Sequence, residues 1–382
     1  MKYVNEFRQK ELAHKIAENI KAEVQPDRDY HIMEFCGGHT HAIFRYGVQD
    51  LMPKNVHYVH GPGCPVCVLP IPRIDNAIEL CERHNVILCT YGDMMRVPAS
   101  QKKSLIKAKA AGADVRMVYS TQNALELARQ NPERDVVFFA IGFETTTPPT
   151  AIALQQARKE RLMNFSVFCN HVLTPSAIGH ILDSEDPQAD AQVALDGFLG
   201  PSHVSSVIGT KPYEPAVEKY KKPVVIAGFE PLDVMQASLM LIRQINEGRC
   251  EVENEYHRVV TRDGNLKAQQ LVAEVFELRD TFEWRGLGWM EKSALQIRAP
   301  FAQWDAEKRF ELSKSTGRDV KGCACPDILR GMKKPTDCKL FGTICTPEDP
   351  QGACMVSSEG SCAAYWSYGR FRMDNKGSEN AA

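Results

Sequence analysis

The chain has 382 residues, 43% of them hydrophobic and 25% charged, and its 46 Lys and Arg against 48 Asp and Glu leave a net charge of −2. That is chain enough for two or three domains at about 150 residues each, with the composition of a soluble globular protein. A balance this close offers no global field for nucleic acid or acidic lipid. The longest apolar runs (136–141 and 224–227) fall far short of a bilayer, and the start MKYVNEFRQKELAHK carries charges where a signal peptide needs its apolar stretch. The expectation is a cytoplasmic protein with neither a membrane nor a nucleic-acid partner.

Residues 1–28 read as one amphipathic helix, with Phe7, Leu12, Ile16 and Ile20 at three- to five-residue spacing. This N-terminal unit (1–30) is expected to pack on the C-terminal domain. A strand–turn–helix rhythm follows. The apolar stretches 31–35, 55–60, 85–90 and 114–120 make a first set of buried strands, and a helix after Pro72 presents Ile74, Ala77, Ile78 and Cys81 on one face. The stretches 135–143, 165–170, 204–209 and 223–229 make a second set. Strands alternating with helices of 10–15 residues indicate parallel α/β units. VVFFAIGFETTTPPT and VVIAGFEPLDVMQ echo each other: an apolar strand, Gly-Phe-Glu, then proline at the start of a helix. The fold expected is α/β, with two similar parallel-sheet domains over 31–120 and 121–245. After about residue 245 the rhythm fades into a smaller domain (246–382), rich in Gly, Pro and Cys from Arg318 onward.

Cysteine is the anomaly. Thirteen are present, six of them (Cys323, Cys325, Cys338, Cys345, Cys354 and Cys362) in the last 60 residues. An odd total without an export signal argues against a secreted disulfide framework and for a metal or redox site. Thiolates suit zinc or iron–sulfur clusters. Only Cys323 and Cys325 form a close pair, whereas structural zinc usually has two, so wide spacings among prolines fit a 4Fe–4S cluster better; plain structural thiols are the third reading. Two cysteines beyond the four ligands would form a disulfide able to exchange electrons with the cluster.

Three further clusters of chemistry-bearing residues follow strands, the edge where open α/β sheets bind ligands. CGGHTH brings Cys36, His39 and His41 to a strand–helix junction, where the helix N-terminus should lower the thiol pKa. GPGCPVC holds Cys64 and Cys67 at the C-x-x-C spacing of a redox or metal-binding pair, or of a tight turn with incidental thiols. GFETT places Glu144 beside a helix start, as a proton donor or acceptor or merely among capping threonines. Cys81, Cys89 and Cys169 read as buried apolar side chains, and Cys250 has no visible partner. No phosphate-binding or dinucleotide-binding glycine motif is present, and neither is the C-x₃-C-x₂-C triad of radical chemistry.

CGGHTH, GPGCPVC, GFETT and the run ending GACMVSSEGSCAAY together resemble the HypD family of nickel–iron hydrogenase maturation proteins, over nearly the whole chain. The resemblance implies two similar α/β domains and a smaller domain with a 4Fe–4S cluster. It implies assembly of an iron centre carrying two cyanides and one carbon monoxide, together with a HypC-type chaperone and a HypE-type cyanide donor. By the same resemblance Cys36 is the thiolate that shares the iron, Cys64 and Cys67 lie near that iron, and His39, His41 and Glu144 surround it. Cys325, Cys338, Cys345 and Cys362 become the cluster ligands, with Cys323 an alternative to Cys325 and Cys323/Cys354 an additional redox pair. Two other classes stay open: an iron–sulfur thiol–disulfide reductase using Cys64 and Cys67, and a non-catalytic scaffold that holds iron. Whether the chain is an enzyme in the strict sense depends on that choice.

Overall fold

A computed structural model describes residues 8–183 and 194–369. Nine parallel strands build two sheets. They are β1 (Tyr30–Glu34), β2 (Val56–His60), β3 (Ile87–Thr90), β4 (Val115–Met117), β5 (Val136–Gly142), β6 (Phe165–His171), β7 (Gly197–Pro201), β8 (Val224–Ala227) and β9 (Val252–Asn254). The first sheet has the order β2-β1-β7-β8-β9 and the second β4-β3-β5-β6. The α/β class with parallel sheets is thus as expected. Strand membership, however, does not follow the 31–120 and 121–245 division. β1 and β2 share a sheet with strands from beyond residue 196, through the pairing of β1 with β7, whereas β3 and β4 share one with β5 and β6, through the pairing of β3 with β5. The chain therefore leaves the first sheet after β2, completes the second, and returns.

That return runs through a strand missing from the sequence reading. Residues 204–208 lie in the helix Ser202–Ile208, which Gly209 ends, and the preceding FLGP supplies central strand β7. Its Gly and Pro are residues that strands disfavour, so its pattern is weak. Gly200 faces the neighbouring strand closely, so that a Cβ there would displace the end of the Ile226 side chain and crowd Val224. Helix Ser202–Ile208 has Ser205 bonding back to the Pro201 carbonyl at 2.8 Å.

The N-terminal helix, Lys10–Glu23, buries Ile16 and Ile20 against the long helix Pro231–Glu247 on the outer face of the first sheet. The expected packing on the C-terminal domain is replaced by this one, because the apolar stripe finds Leu239, Leu241 and Ile242 there. Phe7 lies outside the described residues. Both Gly-Phe-Glu echoes open helices with proline in the first turn, Thr147–Glu160 and Pro231–Glu247, one on each sheet. Beyond residue 254 come two short antiparallel pairs, β10 (Phe276–Leu278) with β13 (Leu295–Ile297) and β11 (Thr281–Trp284) with β12 (Gly288–Glu291). The cysteine-rich stretch from 323 to 369 then has only one-turn helices. Its buried side chains join one continuous core that includes Met33, Phe35, Cys67, Phe139 and Phe198.

Candidate functional site

β1 ends at Glu34, and Cys36 caps the helix Gly37–Tyr46, its sulfur accepting from the Gly38 amide at 3.4 Å. The thiol is 2% exposed and lies 3.5 Å from Nδ1 of His203, on the helix after β7. The expectation of a thiol acidified by its helix is overturned. Burial pushes Cys36 well up from its ordinary value, the carboxylates of Glu359 and Glu34 add to this, and the amide hydrogen bonds only partly oppose it. Cys36 is therefore a protonated thiol, and becomes a good ligand once a cation arrives to offset the burial.

Glu34 organises the junction. It is fully buried; Oε2 accepts from the Cys36 amide at 2.9 Å, and Oε1 bonds Nδ1 of His60 at 2.7 Å and accepts from the Thr40 hydroxyl. Burial raises its pKa, while His60 and Thr40 counter this. His39, one helical turn from Cys36, is fully buried, with Nε2 3.0 Å from the Ala227 carbonyl and 3.1 Å from that of Gly228. Burial lowers it to about 4, so it is a neutral imidazole that ties the CGGHTH helix to the end of β8. Phe229 of the second Gly-Phe-Glu packs on both His39 and His203, at 4.9 and 5.2 Å between ring centroids.

GPGCPVC follows β2 and closes on the same junction. The Gly63 carbonyl accepts from the Gly37 amide, 3.4 Å away, and a Cβ on Gly63 would collide with the backbone of Phe35 and Cys36. This close approach is the physical need for that glycine. Cys64 starts the one-turn helix Pro65–Val68, and a disulfide joins it to Cys67. Both sulfurs are buried, and Sγ of Cys67 lies 3.7 Å from the carbonyl of Ala353, the residue before Cys354. The structure thus brings Cys36, His39 and the C-x-x-C pair together.

Two predicted residues stand elsewhere. His41, two positions after His39, faces another way, against Tyr368 at 5.1 Å, and is partly exposed. Glu144 follows β5 in the second sheet, with Oε1 accepting from the Thr174 amide at 2.8 Å and Oε2 from its hydroxyl at 3.0 Å. Burial pushes its carboxyl up to about 7, the range of a general acid or base near neutrality. Its link to Cys36 is indirect. Tyr213 is fully buried, and burial, then Glu144, then Cys36, all raise the pKa of its phenol.

The C-terminal thiols converge. Cys325 interacts with Cys323, Cys354 and Cys362: the first two raise its pKa and the third opposes them, while Cys325 in turn lowers Cys323. Cys345 accepts from the Gln351 amide at 3.4 Å, and both Cys362 and Cys323 act on it electrostatically. Cys338 acts similarly on Cys362. Five of the six are buried and Cys323 is half-buried. Among the described residues, no group of three or more His, Cys, Asp or Glu side chains is disposed to hold a metal ion. The set nevertheless suits a soft metal group in donor chemistry, with apolar surroundings and thiols close enough to share protons. Cys81, Cys89 and Cys169 are buried, as expected, and Cys250 donates to the Lys221 carbonyl at 3.1 Å.

Sequence reasoning missed Glu34, His60, His203, Phe229 and Glu359. Glu34 stands two residues before one motif and His60 directly before another, so motif flanks were the available signal. Glu359 comes from the last motif and lies against Gly37, leaving no room there for a side chain. Burial, with Asp93 adding, raises its carboxyl to about 7. Nothing local marks His203, which the first sheet brings to Cys36 only through β7.

Comparison with known proteins establishes the family. A family model, HypD, described as the hydrogenase formation hypA family, matches residues 11–369. A hydrogenase maturation factor HypD of Cupriavidus necator is 64% identical over 372 residues, 97% of this chain and 98% of that protein. One from Azotobacter vinelandii is 62% identical over the same shares of each chain. The Escherichia coli hydrogenase maturation factor HypD is 46% identical over 373 residues, 96% of this chain and 98% of its own. With buried Cys36, the C-x-x-C pair beside it and a match along nearly its whole length, the chain belongs to the HypD family of hydrogenase maturation factors.

Proposed function

We propose that the protein assembles the iron centre of nickel–iron hydrogenases, the iron with its two cyanides and one carbon monoxide being cargo rather than a resident cofactor. Cys36 is the thiolate that holds the iron, shared with a HypC-type chaperone, with Cys64 and Cys67 beside it and cyanide arriving from a HypE-type donor. The observation that carries this reading is the junction itself, a buried thiol at a strand end with His203 at 3.5 Å and the Cys64–Cys67 pair brought alongside by the Gly37 amide bond to the Gly63 carbonyl. His203, lowered to about 4 by burial, is a neutral imidazole whose Nδ1 lies 3.5 Å from the Cys36 sulfur and orients it, and the thiol proton leaves to solvent as iron binds.

Cyanide leaving a thiocyanate sulfur for iron breaks a sulfur–carbon bond and consumes two electrons, the sulfur departing as thiolate. Oxidation of the Cys64/Cys67 dithiol to its disulfide supplies two electrons and releases two protons, so the step balances within this site. Cys323 and Cys354 form a second candidate redox pair. Cys325, Cys338, Cys345 and Cys362, with Cys323 as the alternative to Cys325, suit a 4Fe–4S cluster in donor type and burial. Such a cluster supplies single electrons when bound. His39 anchors the Cys36 helix, and His41 and Glu144 belong to the wider surroundings.

Burial of both sulfurs weighs against a reductase that exchanges disulfides directly at Cys64 and Cys67. A cytoplasmic setting is consistent with the described helices, none of which is long and apolar enough to cross a membrane. The test is infrared spectroscopy of the purified protein and its Cys36→Ala variant. Cyanide and carbon monoxide bands should appear on the former and vanish on the latter while the visible chromophore persists. Bands retained without Cys36 remove it from the ligand set. Ligand assembly that survives loss of the cluster would favour the scaffold reading.

A further inference from the structure

Away from the iron junction, two stretches of chain lay their positive charges side by side. Residues 96–109 contain Arg96, Lys102, Lys103, Lys107 and Lys109 and no acidic residue. Residues 314–321 add Lys314, Arg318 and Lys321, and their one acid, Asp319, is taken by Arg285 at 2.8 Å. Asp75 ties the two together, accepting from the Ser100 amide at 3.0 Å, the Ser100 hydroxyl at 2.7 Å and the Ser315 hydroxyl at 2.5 Å. Gly317 lies against Ser100, with no room between them for a side chain.

Most of these charges are uncommitted. Lys103 pairs with Glu82, and Arg96 donates to the carbonyls of Pro347 and Val356. Lys102, Lys109, Lys314, Arg318 and Lys321 are exposed and have no ion pair among the described residues. Gln101 and Lys102 are two consecutive non-glycine residues in the left-handed region, with φ of 55° and 58°. That conformation is strained, and such strain concentrates at functional loops. Ile106, 46% exposed, stands among the lysines, and with Arg96, Lys102, Lys103 and Lys107 it lines a cavity of about 220 Å³. Glu348 and Asp349 also line it. An apolar centre inside a charged rim is the anatomy of a protein interface.

The floor of this cavity borders the C-terminal thiols. Val320 and Gln351 line it; the Val320 carbonyl accepts from the Cys323 amide at 3.0 Å, and the Gln351 amide donates to the Cys345 sulfur at 3.4 Å. Of the six C-terminal cysteines, Cys323 alone is not fully buried. The Cys64–Cys67 disulfide, by contrast, is closed to any attacking thiol.

We infer that this basic face is the docking site of an acidic one-electron carrier protein, which delivers electrons at the Cys323 side of the molecule. The inference rests on the redox reading of the C-terminal cysteines. In balance, two carriers, each oxidised once, and two protons from solvent reduce the Cys64–Cys67 disulfide to two thiols. Charge complementarity selects the partner, since opposite potentials speed encounter by about 10- to 1,000-fold and lose that effect as salt rises.

The test uses the full-length protein and an acidic 2Fe–2S ferredoxin as probe, with binding followed by surface plasmon resonance at low and high ionic strength. The triple variant Lys102→Glu/Lys107→Glu/Lys109→Glu is compared with a control reversed elsewhere, Lys54→Glu/Lys267→Glu. The patch variant should lose about tenfold or more in association rate at low salt and most of the salt dependence, and the control should match the unmodified protein. Equal association in patch and control variants overturns the inference. So does patch-dependent binding of a DNA duplex without binding of ferredoxin. Because this readout needs no chromophore, a colourless protein that still binds through the patch would refute the cluster reading and leave the docking surface standing.

Discussion

Glu144→Gln isolates one buried charge, and its effect follows from the site. Glu144 is 4% exposed, and burial raises its carboxyl from 4.5 to about 7. A raised acid favours the native state fully below its unfolded pKa, and that contribution is lost as pH climbs through the folded value. At about 1.36 kcal/mol per pH unit, the shift amounts to roughly 3 kcal/mol lost by about pH 8 and under about 1 kcal/mol by about pH 5. Glutamine keeps the geometry. Its oxygen accepts from the Thr174 amide and its NH₂ faces the Thr174 hydroxyl, as the protonated acid would. The variant should therefore match the unmodified protein within about 1 kcal/mol near pH 5 and exceed it by about 2 to 3 kcal/mol near pH 8, read from urea midpoints at both values. Comparison at equal pH cancels the other raised carboxyls, Glu255 at about 8 and Glu359 at about 7. A stability difference that does not change with pH refutes the argument, as does a loss at both values. Maturation measured alongside separates roles: a proton donor is lost with the substitution, and a purely structural carboxyl is not.

Cys338→Ala or Cys345→Ala should abolish the visible chromophore and expose the chain after about residue 318 to limited proteolysis while sparing the parallel sheets, because that region has only one-turn helices and depends on what its thiols hold. Gly63→Ala drives a methyl group into the backbone of Phe35 and Cys36, where no side chain can move aside; it should cost about 1–3 kcal/mol and remove the cyanide infrared bands, and normal bands would disprove the close approach. Cys64→Ser and Cys67→Ser should each abolish hydrogenase maturation while leaving fold and chromophore in place, and near-normal activity in both would reduce GPGCPVC to a turn.

What could be read from the sequence was local. Alternation of apolar strands with helices of fixed length is written in consecutive residues, so the parallel α/β class, the helix after Pro72 and both Gly-Phe-Glu helix starts were legible. The motifs were legible for the same reason, since Cys36, Cys64, Cys67 and Glu144 sit at strand ends that their flanking residues announce. Pairing and desolvation are long-range, and only the tertiary structure decided them. It alone sent β1 and β2 to one sheet and β3 and β4 to another, and made FLGP a central strand, because its partners β1 and β8 come from distant parts of the chain. It alone brought His203 and Glu359 to Cys36 from more than 160 positions away. The sign of the Cys36 shift belongs to the same class. A helix N-terminus is a sequence-local effect that favours thiolate, but the cost of burying a charge depends on everything packed around it, and here the burial wins.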